Sequence, residues 1–344
     1  MHDFKYDPFQ QQAIDAIRHN HSVLVSAPTG CGKTAIAEYA IDLALKNNQR
    51  VVFTAPIKSI SNQKFREFSK LFPGRVGILT GDVSIEPDAD LTIMTTEIYR
   101  NQLFENPEMH DQTAWAIFDE VHYLDDLDRG TVWEEAIMFS RANTRFLALS
   151  ATAPNIDDLA SWIKSIHNHP VAVVHETRRP VDLKFYFQCQ NVIYKELHAL
   201  KQKGYMGMNQ FGGNSRRRPR FGGRHRGRVA WEKQIRAKPN QVNDLFNHLI
   251  EQKRLPCLYF AFGRKRVQEL AEDHTYFKLL DEKQREDNRI RFEALVKQFN
   301  LEKERSAIHM GELIERGIAY HHAGLLPTLK EVVEQMFTEK RIML

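Results

Sequence analysis

The sequence is poor in cysteine, in long apolar runs and in net charge. Its three cysteines, Cys31, Cys189 and Cys257, have neither the spacing of a metal site nor that of a disulfide framework, which is typical of a reducing compartment. The absence of a membrane-length apolar run and of an apolar leader predicts a soluble, unsecreted protein, in the cytoplasm with the nucleus as the alternative. The net charge of +4 is small, so the local distribution of charge matters more than the total.

A glycine-rich segment between a predicted strand and a predicted helix carries the strongest signal. The apolar run 22–26 predicts a buried parallel strand, and residues 35–40 predict a helix. Glycines let the intervening backbone turn tightly and direct N–H groups at phosphate oxygens. The predicted phosphate-binding loop consists of Ala27, Pro28, Thr29, Gly30, Cys31, Gly32, Lys33 and Thr34.

This loop predicts nucleoside triphosphate chemistry. Lys33 is expected to reach the β- and γ-phosphates, and the Thr34 hydroxyl is expected to bind Mg²⁺. The helix N-terminus adds partial positive charge. The usual pattern begins with glycine where this sequence has Ala27, so a glycine turn without a ligand is the alternative.

A second motif, Asp119-Glu120-Val121-His122, supplies the acidic partner of the loop. Carboxylates at the end of a buried strand face the crevice in which α/β sheets bind ligands. Asp119 is expected to hold the metal, and Glu120 to position or deprotonate the attacking water. With Lys33, they are the candidate catalytic residues. His122 is expected to couple this site to a neighbouring domain; a histidine without chemistry is an equal alternative.

The apolar pattern predicts two domains, for which 344 residues are sufficient. In the first half, strands separated by helices imply a mostly parallel sheet. The predicted strands are 22–26, 50–55, 76–80, 91–95, 114–118, 145–149 and 171–174. We place the domains at 1–176 and 177–344.

The second half contains a compositional break. Residues 203–228 are rich in glycine and arginine, and we predict a disordered insertion because they cannot bury enough apolar surface to fold alone. Elsewhere in this half, we predict helices at 242–249 and 328–337, a charged helical region at 264–316, and strands at 255–262, 317–321 and 341–344.

Six further motifs are distributed along the chain around the phosphate loop and the acidic box. Residues 54–64, 80–82 and 94–97 lie between the loop and the acidic box, residues 150–152 lie after it, and residues 259–265 and 320–326 lie in the second half. With these motifs in this order, the chain resembles the superkiller-type DEVH-box RNA helicases of helicase superfamily two, the exosome-associated group. The resemblance covers nearly the whole chain.

The resemblance implies roles for individual residues. Phe4 would stack on adenine, Gln10 would bond the edge of the base, and Ser150 and Thr152 would couple hydrolysis to domain movement. Taken singly, the threonines of these motifs are better explained as helix caps, and it is their order together with the ATP motifs that favours contacts with nucleic acid. The implied nucleic-acid contacts are Pro56, Lys58, Asn62, Gln63, Thr80, Gly81, Thr95, Thr96, Gly263, Arg264, His322 and Gly324.

The resemblance also implies a fold and a function. The fold is α/β, with tandem RecA-like P-loop NTPase domains. The implied activity is RNA unwinding or 3′-to-5′ translocation driven by ATP with Mg²⁺, on single-stranded or 3′-tailed RNA, with an exosome-like nuclease as a partner. Motifs that follow residue 344 in the family are missing, so we expect a truncated second domain and poor activity of this chain alone. The alternatives are a DNA repair helicase, against which Trp133-Glu134-Glu135 argues, and a non-catalytic RNA-binding fragment.

Overall fold

The chain divides into two compact units, Met1–Leu183 and Lys184–Leu344. The computed structural model describes residues 5–126, 130–153, 155–201, 205–206, 235–236 and 239–344. Most of the arginine- and glycine-rich segment 203–228, with its predicted disorder, lies outside the described residues, and so does Phe4. Within the described ranges, no helix is long and apolar enough to cross a membrane.

Unit 1 is built on one mixed sheet. Its strands are β1 (Ser22–Ser26), β2 (Arg50–Ala55), β3 (Val76–Leu79), β4 (Ser84–Ile85), β5 (Leu91–Thr95), β6 (Thr113–Phe118), β7 (Arg145–Ser150) and β8 (Val171–His175). Across the sheet the strand order is β4-β3-β5-β2-β6-β7-β1-β8, and every pairing is parallel except that of β3 with β4. The central strands are buried along almost their whole length, which is why they appear as continuous apolar runs.

Helices cover both faces of this sheet. One apolar core includes Ile36 and Phe68 from the second and third helices, and the other includes Trp133 and Ile163 from the fifth and sixth. The result is a three-layer α/β unit of the RecA-like kind, as predicted. The helices of unit 1 are α1 (Pro8–Arg18), α2 (Lys33–Lys46), α3 (Lys58–Leu71), α4 (Thr96–Glu105), α5 (Gly130–Phe139) and α6 (Ile156–His167).

The strands predicted in the first half are confirmed to within one or two residues at each end. The prediction missed β4, which has only two residues, both with exposed side chains, and therefore gives no apolar signal. It pairs antiparallel with β3 at the edge of the sheet.

Unit 2 consists mainly of helices. Its core is formed by helix faces that bury residues such as Met310, Leu313, Leu329 and Val332. The tenth helix begins with reciprocal capping bonds between Asp281 and Gln284. The described elements are β9 (Phe187–Cys189), β10 (Val192–Tyr194), α7 (Leu197–Lys201), β11 (Tyr205–Met206), β12 (Ile235–Arg236), α8 (Val242–Glu251), α9 (Arg264–Asp273), α10 (Glu282–Gln298), α11 (Arg305–Ile314) and α12 (Pro327–Thr338).

The strands predicted at 255–262, 317–321 and 341–344 are not formed. The segments do lie side by side, since the N–H of Met343 donates to Gly317 O at 2.7 Å and that of Ala319 donates to Leu344 O at 3.0 Å. A strand needs a repeated ladder of such bonds, and these segments make only isolated ones. The prediction of strands here was therefore wrong, although the helices predicted around them are present.

Candidate active site

The predicted phosphate-binding loop connects β1 to α2. The strand β1 is buried along its whole length, and the loop leaves it after Ser26. Gly30 and Gly32 have φ angles of +87° and +80°, a left-handed conformation that favours glycine. Gly32 is the N-cap of α2, so Lys33 and Thr34 begin the helix at the end where its dipole attracts anions.

Two side chains, those of Lys33 and Gln10, hydrogen-bond to backbone carbonyls of the phosphate-binding loop. The Lys33 ammonium donates to the carbonyl of Ala27 at 2.8 Å. The Gln10 amide donates to the carbonyls of Gly32 at 3.0 Å and Cys31 at 3.4 Å. Its oxygen accepts from the N–H of Asp7 at 2.9 Å. Gln10 therefore links the start of α1 to the phosphate-binding loop. The adenine contact that the resemblance implies for Gln10 did not predict this link.

The acidic box follows β6, and Asp119 and Glu120 are both partly buried. The N–H of Asp119 donates to Thr54 O at 3.0 Å, which joins this turn to the end of β2. Glu120 has a φ of +55°, a conformation that costs a residue other than glycine about 1–2 kcal/mol and that a functional turn often retains.

The charges of the loop and the acidic box act on one another. Burial raises the pKa of Asp119, and the neighbouring Glu120 carboxylate raises it further, whereas Lys64 and Lys33 lower it. Burial lowers the pKa of Lys33, and Glu120 and Asp119 oppose that shift. The neighbouring carboxylates of Asp119 and Glu120 are suited to bind a multivalent cation, and the Lys33 ammonium is suited to bind an anion.

The residues present fit a triphosphate with a divalent cation. A Cβ built at Gly30 would meet no heavy atom within 4 Å, so the backbone there is open to a ligand. The donors are N–H groups at a helix N-terminus and the Lys33 ammonium, which suit phosphate. The Thr34 hydroxyl and the Asp119 carboxylate are oxygen ligands of the kind that Mg²⁺ prefers.

The predicted coupling motif is bonded to the phosphate-loop strand. The N–H of Ala27 donates to Ser150 O at 3.2 Å, and the N–H of Ala153 donates to the hydroxyl of Ser26 at 3.0 Å. The Ser150 hydroxyl is buried and lacks a hydrogen-bond partner among the described residues. Thr152 is exposed.

His122 contacts the acidic box directly. Its Nδ1 lies 3.3 Å from a carboxylate oxygen of Glu120, and its ring lies 5.2 Å from that of Tyr123. The imidazole is exposed, so it can meet another group at the surface of unit 1 while it contacts the candidate base. This geometry is compatible with the coupling role, which stays a prediction.

The predicted nucleic-acid motifs of unit 1 follow β2, β3 and β5, which are neighbours in the sheet. At the start of α3, Pro56 is buried, Asn62 is half-buried, and Lys58 and Gln63 are exposed. Lys58 pairs with Asp82 at 2.7 Å, and a Cβ at the neighbouring Gly81 would lie 3.2 Å from the Lys58 ammonium. The structure thus brings the motifs at 56–63 and 80–82 together.

The threonines of these motifs are buried. Thr54 donates its hydroxyl to Ile117 O at 3.4 Å, and Thr80 accepts from the N–H of Val83 at 3.2 Å, so both hydroxyls already serve internal bonds. Thr95 is the N-cap of α4. The Thr96 hydroxyl is buried and has no partner within the described part of the chain. Their contacts with nucleic acid stay predictions, and the helix-cap alternative applies to the position of Thr95.

Four predicted residues of unit 2 also come together. Gly263 has a φ of +91° and is the N-cap of α9, in which Arg264 is the first residue. A Cβ at Gly324 would lie 3.2 Å from Cδ of Arg264, and the N–H of Gly324 donates to His322 Nδ1 at 3.1 Å. The His322 ring stacks on Tyr320 at 5.5 Å, and burial and then Arg264 lower its pKa.

Comparison with known proteins matches this chain to helicases. Residues 7–159 match the family model described as DEAD/DEAH box helicase. An uncharacterised helicase of Schizosaccharomyces pombe is 40% identical over 343 residues, which cover 98% of this chain and 32% of the relative. The human exosome RNA helicase MTR4 is 37% identical, with coverages of 98% and 32%. Human superkiller complex protein 2 is 35% identical, with coverages of 97% and 28%.

The chain spans about a third of the length of these relatives. The region that matches the family model contains both the phosphate loop and the acidic box, and the relatives extend the similarity over nearly all of the chain. The resemblance predicted from the motifs is therefore confirmed: residues 7–159 match a DEAD/DEAH box helicase domain, and nearly the whole chain is similar to part of the Mtr4 and superkiller helicases.

Proposed function

We propose that this protein is an ATP-dependent RNA helicase that unwinds or translocates along RNA in RNA decay or processing. The observation that carries the proposal is the placement of two motif sets on one sheet. The phosphate loop, acidic box and coupling motif follow β1, β6 and β7, while the motifs proposed to bind RNA follow the adjacent β2, β3 and β5. Ends of parallel strands meet at the same edge, so nucleotide and RNA would occupy neighbouring positions.

The residues of this chain have distinct parts in the reaction. Lys33 would leave the Ala27 carbonyl to contact the phosphates. Thr34 and Asp119 would hold Mg²⁺, which supplies charge neutralisation on the triphosphate when bound. Glu120 would orient the attacking water and accept its proton, and the left-handed backbone fixes the direction in which its carboxylate leaves the turn.

The contacts of the acidic box supply a route for coupling. His122 contacts Glu120, and the backbone of Ser150 contacts that of Ala27, so two of the three predicted coupling residues are joined to groups that would change when phosphate is lost. We propose that such changes at unit 1 are transmitted to a second RecA-like domain and advance the RNA.

The partner is proposed from the names of two relatives, and the polarity from the resemblance carried by the motifs. The matched helicases are named for the exosome and the superkiller complex. We propose single-stranded or 3′-tailed RNA as the substrate, movement in the 3′-to-5′ direction, an exosome-like nuclease as a partner, and a cytoplasmic location. Binding of RNA by exposed Lys58 and Gln63 would position the strand on unit 1. The cluster of Gly263, Arg264 and Gly324 is a separate proposed RNA contact, on unit 2.

Two substitutions test the nucleotide chemistry. Lys33→Ala should reduce RNA-stimulated ATP turnover by about a hundredfold or more, because it removes a preorganised cation. Glu120→Gln should retain ATP affinity but slow hydrolysis by about 10²–10⁴-fold, because it removes the proton acceptor and leaves Asp119 intact. Lys46→Ala is the matched control, since Lys46 lies on the same helix but pairs with Asp42 at the surface. Wild-type turnover in Glu120→Gln would exclude Glu120 as the base.

The choice of nucleic acid requires a separate measurement. ATP turnover should rise with single-stranded RNA and respond much less to DNA of the same sequence. Stronger stimulation by DNA would favour a repair helicase, and ATP-independent RNA binding without any turnover would favour a non-catalytic RNA-binding protein.

A further inference from the structure

A cavity of about 330 Å³ lies beside the acidic box of unit 1. It is lined by the turn that follows the acidic box and by the first two turns of α6, with apolar surface from Leu124, Leu159 and Trp162. Pockets that hold small molecules begin at about 300 Å³, so this cavity suits a small ligand. Of the described residues that line it, none belongs to the phosphate-binding loop, so the cavity is separate from the proposed nucleotide site.

A buried polar group lines this cavity. Ser150 is completely buried, and its hydroxyl has no hydrogen-bond partner among the described residues. The Ser26 hydroxyl, by contrast, accepts from the N–H of Ala153 at 3.0 Å. Burial of a hydroxyl without a partner costs free energy, and most buried polar groups in native proteins are bonded. The Ser150 hydroxyl is therefore available to a ligand in the cavity.

The cavity is also negatively charged. The carboxylates of Asp125, Glu134 and Asp158 line it, and none of them forms an ion pair within the described part of the chain. The Asn155 amide donates to Asp125 at 3.4 Å, which joins the turn to the start of α6. The N-terminus of α6 carries partial positive charge, but Asp157 and Asp158 in its first turn outweigh it. These charges would repel the phosphates of nucleotides and RNA.

Negative charge beside apolar surface favours an organic cation over a metal ion. Within the described ranges, no group of three or more histidine, cysteine or acidic side chains could hold a metal ion, so the three carboxylates are not arranged to share one. A flexible cation with separated charges can reach each carboxylate in turn. Its carbon chain can pack on Leu124 and Leu159, and a cationic group can lie against the Trp162 ring.

We propose that this cavity is a binding site for a linear aliphatic polyamine. Its ammonium groups pair with Asp125, Glu134 and Asp158, its carbon chain packs on the apolar wall, and one N–H donates to the Ser150 hydroxyl. The site goes beyond the proposed function, because it takes neither nucleotide nor RNA. Since His122 and Ser150 both line the cavity, an occupant would contact two of the predicted coupling residues.

Isothermal titration calorimetry of the full chain with spermidine tests the site. We expect a single site with a Kd of about 0.1 mM or tighter, which a ligand of about ten non-hydrogen atoms can reach. A linear alkanediol of similar length should bind about tenfold more weakly or less, because it has no charge to pair with the carboxylates. Tryptophan emission should change on binding, since Trp162 lines the cavity, and this change should be absent in Trp162→Phe.

Substitutions in the first turn of α6 locate the binding. Asp158→Asn should weaken spermidine binding about fivefold to tenfold, because Asp158 lines the cavity. Asp157→Asn is the matched control, since it removes the same charge from the same turn, but Asp157 lies 3.3 Å from His175 Nε2 and is not among the described lining residues. It should retain the wild-type affinity to within about twofold.

Two further variants test the other proposed contacts. Ser150→Ala should weaken binding about threefold or more, because it removes the hydroxyl that accepts the N–H. Glu134→Gln should weaken binding as Asp158→Asn does. Circular dichroism establishes that each variant is folded, and Asp158→Asn and Glu134→Gln carry the test if Ser150→Ala is not.

Three results would overturn the inference. The first is absence of spermidine binding at millimolar concentration. The second is equal weakening in Asp157→Asn and Asp158→Asn, which would indicate general attraction to an acidic surface. The third is equally tight binding of the alkanediol, which would make the cavity a purely apolar site. Failure of the proposed function is distinguishable, because it appears in the wild type as absence of RNA-stimulated ATP turnover, whether or not spermidine binds.

Discussion

A buried histidine beneath α4 should make the stability of unit 1 depend strongly on pH. His110 is 4% exposed and lies against the Tyr99 ring at a centroid distance of 5.0 Å. Its Nε2 lies 3.1 Å from Gln102 Oε1 and its Nδ1 lies 3.3 Å from the Thr113 hydroxyl. The neutral imidazole can satisfy both contacts, with Nε2 donating to the amide oxygen and Nδ1 accepting from the hydroxyl. Tyr99 and Gln102 belong to α4, the helix that begins at Thr96.

Burial lowers the pKa of His110 to about 4, and the charges of Arg50 and Arg141 act in the same direction. In the unfolded chain the pKa is about 6.5, so the unfolded state binds the proton more readily. The resulting stability is fully present above about pH 6.5 and is lost as the pH falls toward 4. At 1.36 kcal/mol for each unit of pKa difference, the loss is about 2 kcal/mol at pH 5 and about 3 kcal/mol at pH 4.

Urea unfolding at about pH 7.5 and about pH 5 measures this loss. Tryptophan emission reports on unit 1, in which Trp115 and Trp133 are buried. The wild type should lose about 2 kcal/mol more than His110→Gln between the two pH values, because glutamine does not titrate. His19→Gln, at an exposed position of unit 1, is the control and should match the wild type. Equal pH dependence of His110→Gln and the wild type would refute the reasoning.

Two further substitutions test contacts near the site. Gln10→Ala removes the amide that holds the Cys31 and Gly32 carbonyls, and should weaken ATP binding about tenfold in a fluorescent-nucleotide titration; unchanged affinity would show that the loop keeps its shape without Gln10. Gly77→Ala places a Cβ 1.8 Å from Glu86 O, and should destabilise the β3–β4 edge by about 1–3 kcal/mol in urea unfolding; a wild-type midpoint would show that the edge can shift at little cost.

The sheet of unit 1 could be predicted because its strands are buried on both faces. Runs such as 22–26 and 91–95 are apolar or small throughout, and strand geometry leaves little choice for such segments between helices. The position of the candidate site follows directly, since each motif comes at the end of one of these strands. Chain order and parallel pairing are therefore sufficient to place Lys33 and Asp119 at one edge.

Contacts between side chains from distant segments could not be predicted in the same way. The sequence shows that Gln10 precedes the phosphate loop, but not that its amide reaches the Gly32 carbonyl. It shows Lys64 within a predicted nucleic-acid motif, but not that the Lys64 side chain is buried and pairs with Glu67. Such contacts depend on rotamers and on helix placement, which periodicity does not encode.

Residues 255–262 show that a segment rich in apolar residues need not form a strand. Its sequence alone predicts a strand. In a buried strand, Phe262→Ser would cost several kcal/mol, as large-to-small core substitutions do, typically about 3–5 kcal/mol. In the structure the Phe262 side chain is fully exposed, so the same substitution should change the stability of unit 2 by about 0.5 kcal/mol or less. Leu329→Ala is the reference, because Leu329 is completely buried in the helical core and its truncation should cost about 2–5 kcal/mol. Hydrogen exchange of the amides of α11 and α12 measures both variants in the full chain. A loss of protection in Phe262→Ser as large as that in Leu329→Ala would show that residues 255–262 are a core strand after all.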